Sequence, residues 1–149
     1  MKNALILFAF ISVTFISGCS PEPEQINYGS DVCDYCKMNI TDNRFAAEIV
    51  TKKNKLFKFD SIECLLGYEF ESLINKNEIH SEWVNDFSNP GELIDFKKAF
   101  YLQNDDLRSP MGLNVLSVSS TEKLEEIKNK YGGSILSFSE LKKLAEKDL

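Results

Sequence analysis

Two thiols and a thioether fall within six residues at Cys33-Asp34-Tyr35-Cys36-Lys37-Met38. A cluster of soft sulfur donors suits Cu(I), which takes thiolate and thioether ahead of oxygen. A bare Cys-x-x-Cys says less, because zinc sites and redox disulfides use the same spacing. Met38 shifts the balance towards copper: a thioether is an uncommon zinc ligand and takes no part in thiol–disulfide exchange. Against this stands methionine's ordinary use as a filler of core gaps. The motif by itself leaves zinc and redox chemistry open.

The elements that must position this cluster begin after a leader. Lys2 and the apolar run over residues 4–17 have the charge and length of a signal peptide, too short to span a bilayer. The run ends in Ile16-Ser17-Gly18-Cys19-Ser20, the pattern of a bacterial lipoprotein cleavage site. Residues 1–18 are therefore read as signal peptide and Cys19 as the acylated (palmitate-bearing) first residue. This places the domain in the cell envelope, on the periplasmic or extracytoplasmic side. Ser20, where an aspartate would retain the protein at the inner membrane, favours the outer membrane in a Gram-negative cell. Three further cysteines remain, Cys33, Cys36 and Cys64, an odd number that suits a guarded metal site better than a disulfide framework.

The formal charge is −6, and removing residues 1–18 deletes one lysine and no acid, leaving −7. No basic stripe is present, which excludes nucleic acid as a partner and leaves membrane attachment to the acyl chains. Nor does the chain hold a nucleophile–base pair, a phosphate loop or a paired-acid site, so no enzymatic turnover is expected.

Residues 19–31, with two prolines and a glycine, read as a tether. The sulfur cluster then opens the folded part in a loop. Residues 44–50 and 56–59 alternate as two strands around the polar turn 51–55. Asp60 or Ser61 caps a helix over 61–75, with Glu63 at capping-box distance from Asp60, and a strand follows over 81–87. The order strand, strand, helix, strand recurs: strands over 99–102 and 113–118, a helix from Ser120 to Tyr131 stopped by Gly132-Gly133, a strand over 134–138, and a short terminal helix capped by Ser139. The expected fold is α+β, two β-β-α-β units over 32–89 and 90–149 packed together after the tether. The first unit carries the metal loop, and residues 92–95 serve as a connector.

The ordered set of motifs resembles the NosL family. It comprises Cys19, Cys33-x-x-Cys36-x-Met38, Phe59-Asp60-Ser61, Trp83-Val84 with Asp86-Phe87, Ala99-Phe100-Tyr101, Ser109-Pro110-Met111-Gly112 and Tyr131-Gly132-Gly133. The resemblance implies a lipid-anchored Cu(I) metallochaperone, and a monomer is expected. It also implies a recipient, an ABC-type complex that matures the copper centres of nitrous oxide reductase. Lys37 stands where many members have glycine, and its charge is expected to favour the thiolate. Some members carry cysteine or histidine where Asp60 and Asn85 stand here.

Cys36 and Met38 are the foremost expected ligands, with Cys33 next. Met111 is a fourth, implied by the family's Met-Gly loop; were it to bind, the site would lie between the two units. Cys64, flanked by Leu65 and Leu66, reads as a small buried hydrophobe, and His80 as a surface residue. The rival zinc site would join Cys33, Cys36, Cys64 and His80 and leave both methionines unused. The rival thiol–disulfide oxidoreductase needs a strand before Cys33 and a helix after Cys36.

Overall fold

The structure is a computed structural model that describes residues 20–148. The expected signal peptide over 1–18 and the acylated Cys19 lie outside the described residues. Among the described residues, seven strands and three α-helices follow one another as β1 (Ala47–Thr51), β2 (Leu56–Phe59), α1 (Ile62–Phe70), β3 (Ile79–Asn85), β4 (Leu93–Asp95), β5 (Phe100–Gln103), β6 (Val115–Val118), α2 (Thr121–Tyr131), β7 (Ser134–Leu136) and α3 (Phe138–Asp148). They form two antiparallel sheets, in the orders β2-β1-β3-β4 and β6-β5-β7, an α+β fold. The β-β-α-β order recurs as the sequence indicated.

Several boundaries differ, each for a local reason. The connector over 92–95 is a strand: Gly91, at φ +93, closes a turn that returns the chain antiparallel along β3, so Leu93, Ile94 and Asp95 pair with Asn85, Val84 and Trp83. The helix expected over 61–75 stops at Phe70, because Ser72 takes a left-handed φ of +55. Asn75 then caps a separate 3-10 turn, Lys76–Glu78. The expected Asp60–Glu63 capping box does not form. Ser61 caps α1, its hydroxyl accepting the Cys64 N–H, and Glu63 turns elsewhere. The terminal helix starts one residue before Ser139. Ser137 and Glu140 make the reciprocal capping pair that was expected at the other helix, and the helix runs on to Asp148.

The two units share one core. Helix α3 lays Leu141 and Ala145 against α1, and Phe138 stacks edge-on against Phe96 at 5.1 Å. Helix α1 is thereby buried on nearly every side, from Ile62 through Gly67. Helix α2 covers the second sheet with Leu124 and Ile127, over Leu102, Leu116 and Val118.

Residues 24–31 of the expected tether lie docked on the domain. Ile26 is buried in the shared core, Asp31 pairs with Lys58 at 2.7 Å, and the Glu24 N–H donates to Glu48 Oε1 at 2.9 Å. Burial of the isoleucine contributes about 2 kcal/mol to holding the segment that leads into the metal loop, alongside the ion pair and the backbone bond.

Glu48 is a buried acid on β1, opposite Lys58 and Trp83, and its Oε2 has no partner. Burial pushes its pKa up from the ordinary 4.5 to about 7. A raised folded-state pKa means that the proton stabilises the fold. This contribution is complete below the unfolded pKa and is lost as pH rises through about 7. Glu48→Gln keeps an oxygen for the Glu24 N–H and removes the charge. It is expected to raise stability by roughly 2 kcal/mol at pH 8 and to change it little at pH 4. Urea melts at the two pH values check this, and an equal gap at both would refute it.

Candidate metal centre

The metal loop is folded back on itself. Val32 and Asn39 form an isolated antiparallel bridge, the Cys33 N–H donates to the Met38 carbonyl at 2.8 Å, and the Lys37 N–H donates to the Cys33 carbonyl at 3.1 Å. The loop is also pinned to the end of β2. The Asp34 N–H donates to the Lys58 carbonyl, and the Lys58 N–H donates back to Asp34 Oδ2, both at 2.8 Å. β2 ends one residue before Asp60, and α1 begins two residues after it. This double pin therefore brings the loop against the N-terminus of α1.

Four donor groups meet there. Ligand atoms of Cys33, Cys36, Asp60 and Cys64 all lie within 4.8 Å of one another. Cys33, Asp60 and Cys64 are buried, and Cys36 is half-buried; all three cysteines are free. Tyr35, between the two loop cysteines, lies against Gly67 of α1, where a Cβ would come within 2.7 Å of its ring. It anchors further along the helix by donating its hydroxyl proton to Glu71 at 2.8 Å.

The sulfurs are not equivalent. A hydrogen bond from Cys64 is the main cause holding Cys33 down at about 6, with backbone N–H groups of Asp60, Cys36 and Tyr35 adding to it against the effect of burial. Burial pushes Cys36 up to about 11, and its thiol donates to Asp60 Oδ2 at 3.3 Å. Cys64 is pushed up by sharing its proton with Cys33 and by burial. Cys33 is thus the most acidic of the three sulfurs, and the group sits at the positive end of a helix dipole, which favours a thiolate. The Lys37 ammonium bends back within the loop and donates to the Asp34 carbonyl.

Lys37 also takes a left-handed φ of +65. Glycine adopts that conformation freely, whereas a side chain there costs about 1 kcal/mol. Lys37→Gly is therefore expected to raise stability by roughly 0.5–1 kcal/mol while leaving metal affinity unchanged, as measured by thermal melting and chelator competition. A loss of affinity would show that the ammonium matters to the centre.

The remaining expected residues are placed as follows. Met38 and Met111 are 51% and 40% exposed, so neither is a core filler. Met111 lines a shallow surface cavity of about 450 Å³ with Arg108, Ser109 and Asn114, and no cysteine lines that cavity. His80 is exposed on β3, in the bulge near Thr51, at the hairpin end of the sheet. Phe59 pairs with Ala47 at the opposite end, roughly 13 Å away along the strands. The zinc set that included His80 is thus not assembled; Asp60 takes the fourth place. Cys64 is buried in the core, as expected of a small hydrophobe, and its sulfur also lies within 4.8 Å of the other three donor atoms. Nor does the redox arrangement form, since the loop cysteines follow no strand and open no helix. Sequence reasoning included Cys64 only in the rival zinc set and did not place Asp60 beside the thiols. The available signal was their position, one just before and one within the first turn of a capped helix.

The chain resembles known proteins along most of its length. A curated relative, the copper-binding lipoprotein NosL of Stutzerimonas stutzeri, is 27% identical over 149 aligned residues, covering 91% of this chain and 78% of the relative. The crystal structure of the copper chaperone NosL from Shewanella denitrificans superposes with a TM-score of 0.67 at 22% identity, over 80% of this chain and 95% of that one, a likeness of fold. The sequence profile of the NosL family matches residues 25–145, from the docked N-terminal segment through most of α3, and the chain belongs to that family.

Proposed function

We propose that this protein carries one Cu(I) ion on Cys33, Cys36 and Cys64. On this reading it is a lipid-anchored metallochaperone that serves the ABC-type complex maturing nitrous oxide reductase. The observation that carries the reading is the grouping of three sulfurs and one carboxylate, all but Cys36 buried, within 4.8 Å at the start of α1. The donor set fits a soft monovalent cation: three thiolates match Cu(I) softness and its preference for two or three ligands. Asp60 accepts a hydrogen bond from the Cys36 thiol and would stay as an outer partner. The family relative named for copper binding and lipidation supports the same cargo and anchor.

Exposure suggests the order of transfer. Cys36 is the least buried thiol, and Met38, two residues on, puts a thioether on the surface. Copper would enter and leave through this edge, with Met38 and Met111 as outer ligands. The anchor at Cys19 would hold the domain close to the membrane. Only residues 20–23 separate it from the docked Glu24, at most roughly 18 Å of extended chain, so a membrane-embedded recipient lies within reach.

The test is titration of the reduced protein with Cu(I) against a chromophoric chelator, alongside Zn(II). One tightly bound Cu(I) per chain is expected. The melting temperature should rise by an amount that corresponds to about 4 kcal/mol at a free-ion level a thousand times Kd. Tighter binding of Zn(II) than of Cu(I) under the same competition would overturn the copper reading in favour of a three-cysteine, one-aspartate zinc site.

A further inference from the structure

Glu63 is a buried acid that the metal centre does not use, although it directly precedes Cys64 in the first turn of α1. Its Oε1 accepts two hydrogen bonds from the second unit, one from the Ser109 hydroxyl and one from the Leu113 N–H at 3.0 Å. Its Oε2 is buried without a partner. Burying a carboxylate is costly, and leaving one oxygen unpaired adds to the cost. Helix capping does not account for it, since Ser61 already caps α1.

What Glu63 does hold is the loop that bears Met111. The two donors bracket that residue, two positions before it and two after. The loop is cross-braced by the Ser109 N–H to Asn114 Oδ1 at 3.1 Å and the Asn114 N–H to Ser109 Oγ at 2.9 Å, and closed by the Gly112 N–H to the Ser109 carbonyl at 3.2 Å. Gly112 at φ +91 and Asn114 at φ +58 supply the left-handed turns that such a closed loop needs. Met111 thus stands at the tip of a braced loop whose only side-chain acceptor from α1 among these bonds is the residue next to Cys64.

We infer that Glu63 is a positioning residue for copper binding: it clamps the Met111 loop of the second unit to the helix turn that carries Cys64, so that thioether and thiolate are presented as one body. This rests on the reading of Met111 as an outer ligand. Without the clamp, the loop must pay ordering entropy each time the thioether engages.

The test labels the methionine ε-methyl groups of the whole chain with ¹³C and adds one equivalent of Ag(I), a diamagnetic stand-in for Cu(I), with Cu(I) affinities measured in parallel. In the wild type, the Met111 methyl is expected to shift. In Glu63→Ala it should stay near its metal-free position while the Met38 methyl still shifts. Cu(I) affinity should fall about tenfold, the same loss as in Met111→Ala, and the double variant should lose no more. Glu63→Gln keeps the acceptor oxygen and is expected to restore both readouts. Should Glu63→Ala fail to fold, Ser109→Ala removes one of the two bonds and is expected to weaken binding severalfold, with a smaller Met111 shift. If Met111→Ala weakens binding but Glu63→Ala or Ser109→Ala leaves the Met111 shift intact, the positioning role is refuted and the ligand reading stands. If neither Met111→Ala nor the Met111 methyl responds to metal, the ligand reading itself fails and the clamp with it.

Discussion

Serine in place of Cys33 or Cys36 is expected to lower Cu(I) affinity by at least about 100-fold, a loss of roughly 3 kcal/mol or more. Substitutions of outer-shell partners typically cost 10–100-fold, and these two residues supply the sulfur itself. Serine preserves size and hydrogen bonding but offers a hard oxygen that Cu(I) binds poorly. Cys64→Ser decides between two roles for that residue. As a third thiolate, it should lose affinity by at least about tenfold; as a hydrophobe in the core, it should lower stability and leave affinity unchanged. Asp60→Asn belongs in the same series. It removes the carboxylate that accepts the Cys36 thiol, at 3.3 Å, while keeping an acceptor oxygen, and should change affinity less than any cysteine variant. The measurement is competition with a chromophoric Cu(I) chelator under reducing conditions. Unchanged affinity in both Cys33→Ser and Cys36→Ser would remove the centre from consideration.

A second large effect is expected far from the thiols. Gly133→Ala should destabilise the fold by about 3 kcal/mol or more and lower the melting temperature by roughly 10 °C. Gly133 has φ +107, and a Cβ there would lie 2.4 Å from the Gln103 carbonyl oxygen and 3.2 Å from Asn104 Cβ. The first neighbour is backbone and cannot swing aside. Gln103 pairs with Ser134, the residue after Gly133, so separating the two strands would undo the β5–β7 ladder. Because β7 leads directly into α3, which packs on α1, the disturbance would reach the shared core. Gly112→Ala is the control: φ is +91 with open space around it, so strain alone should cost about 1 kcal/mol. Urea unfolding of the two variants compares them, and equal losses would show that the close approach to Gln103 contributes nothing.

Much of the fold was legible in the sequence because its signals are local. The strand signals over 44–50 and 56–59, the Ser120 cap and the Gly132-Gly133 stop each act within a few residues; the cap, the stop and the second strand form as expected, whereas the first strand runs Ala47–Thr51 and is buried on both faces. The misreadings occur where a local signal meets a competing partner. Ile26 looked like part of a tether until the sheet offered it a buried place. Glu63 had the spacing of a capping residue, but Ser109 and Leu113 claimed its carboxylate. Leu73 and Ile74 continued the helical pattern, but Ser72 turned left-handed and broke it.

The metal centre divides along the same line. By itself, the sequence determined the soft-sulfur character of the 33–38 loop, because ligand softness belongs to residue type and a short loop fixes its own spacing. It also determined the α+β order of elements, since hydrophobic period and turn chemistry are properties of neighbours along the chain. Only the tertiary structure decided that Cys64 and Asp60 join the loop, that His80 stands apart at the other end of the sheet, and that Glu63 ties the Met111 loop to α1. Those relations depend on which helix end faces which loop. That is set by strand pairing and core packing between residues tens of positions apart, and no local pattern encodes it.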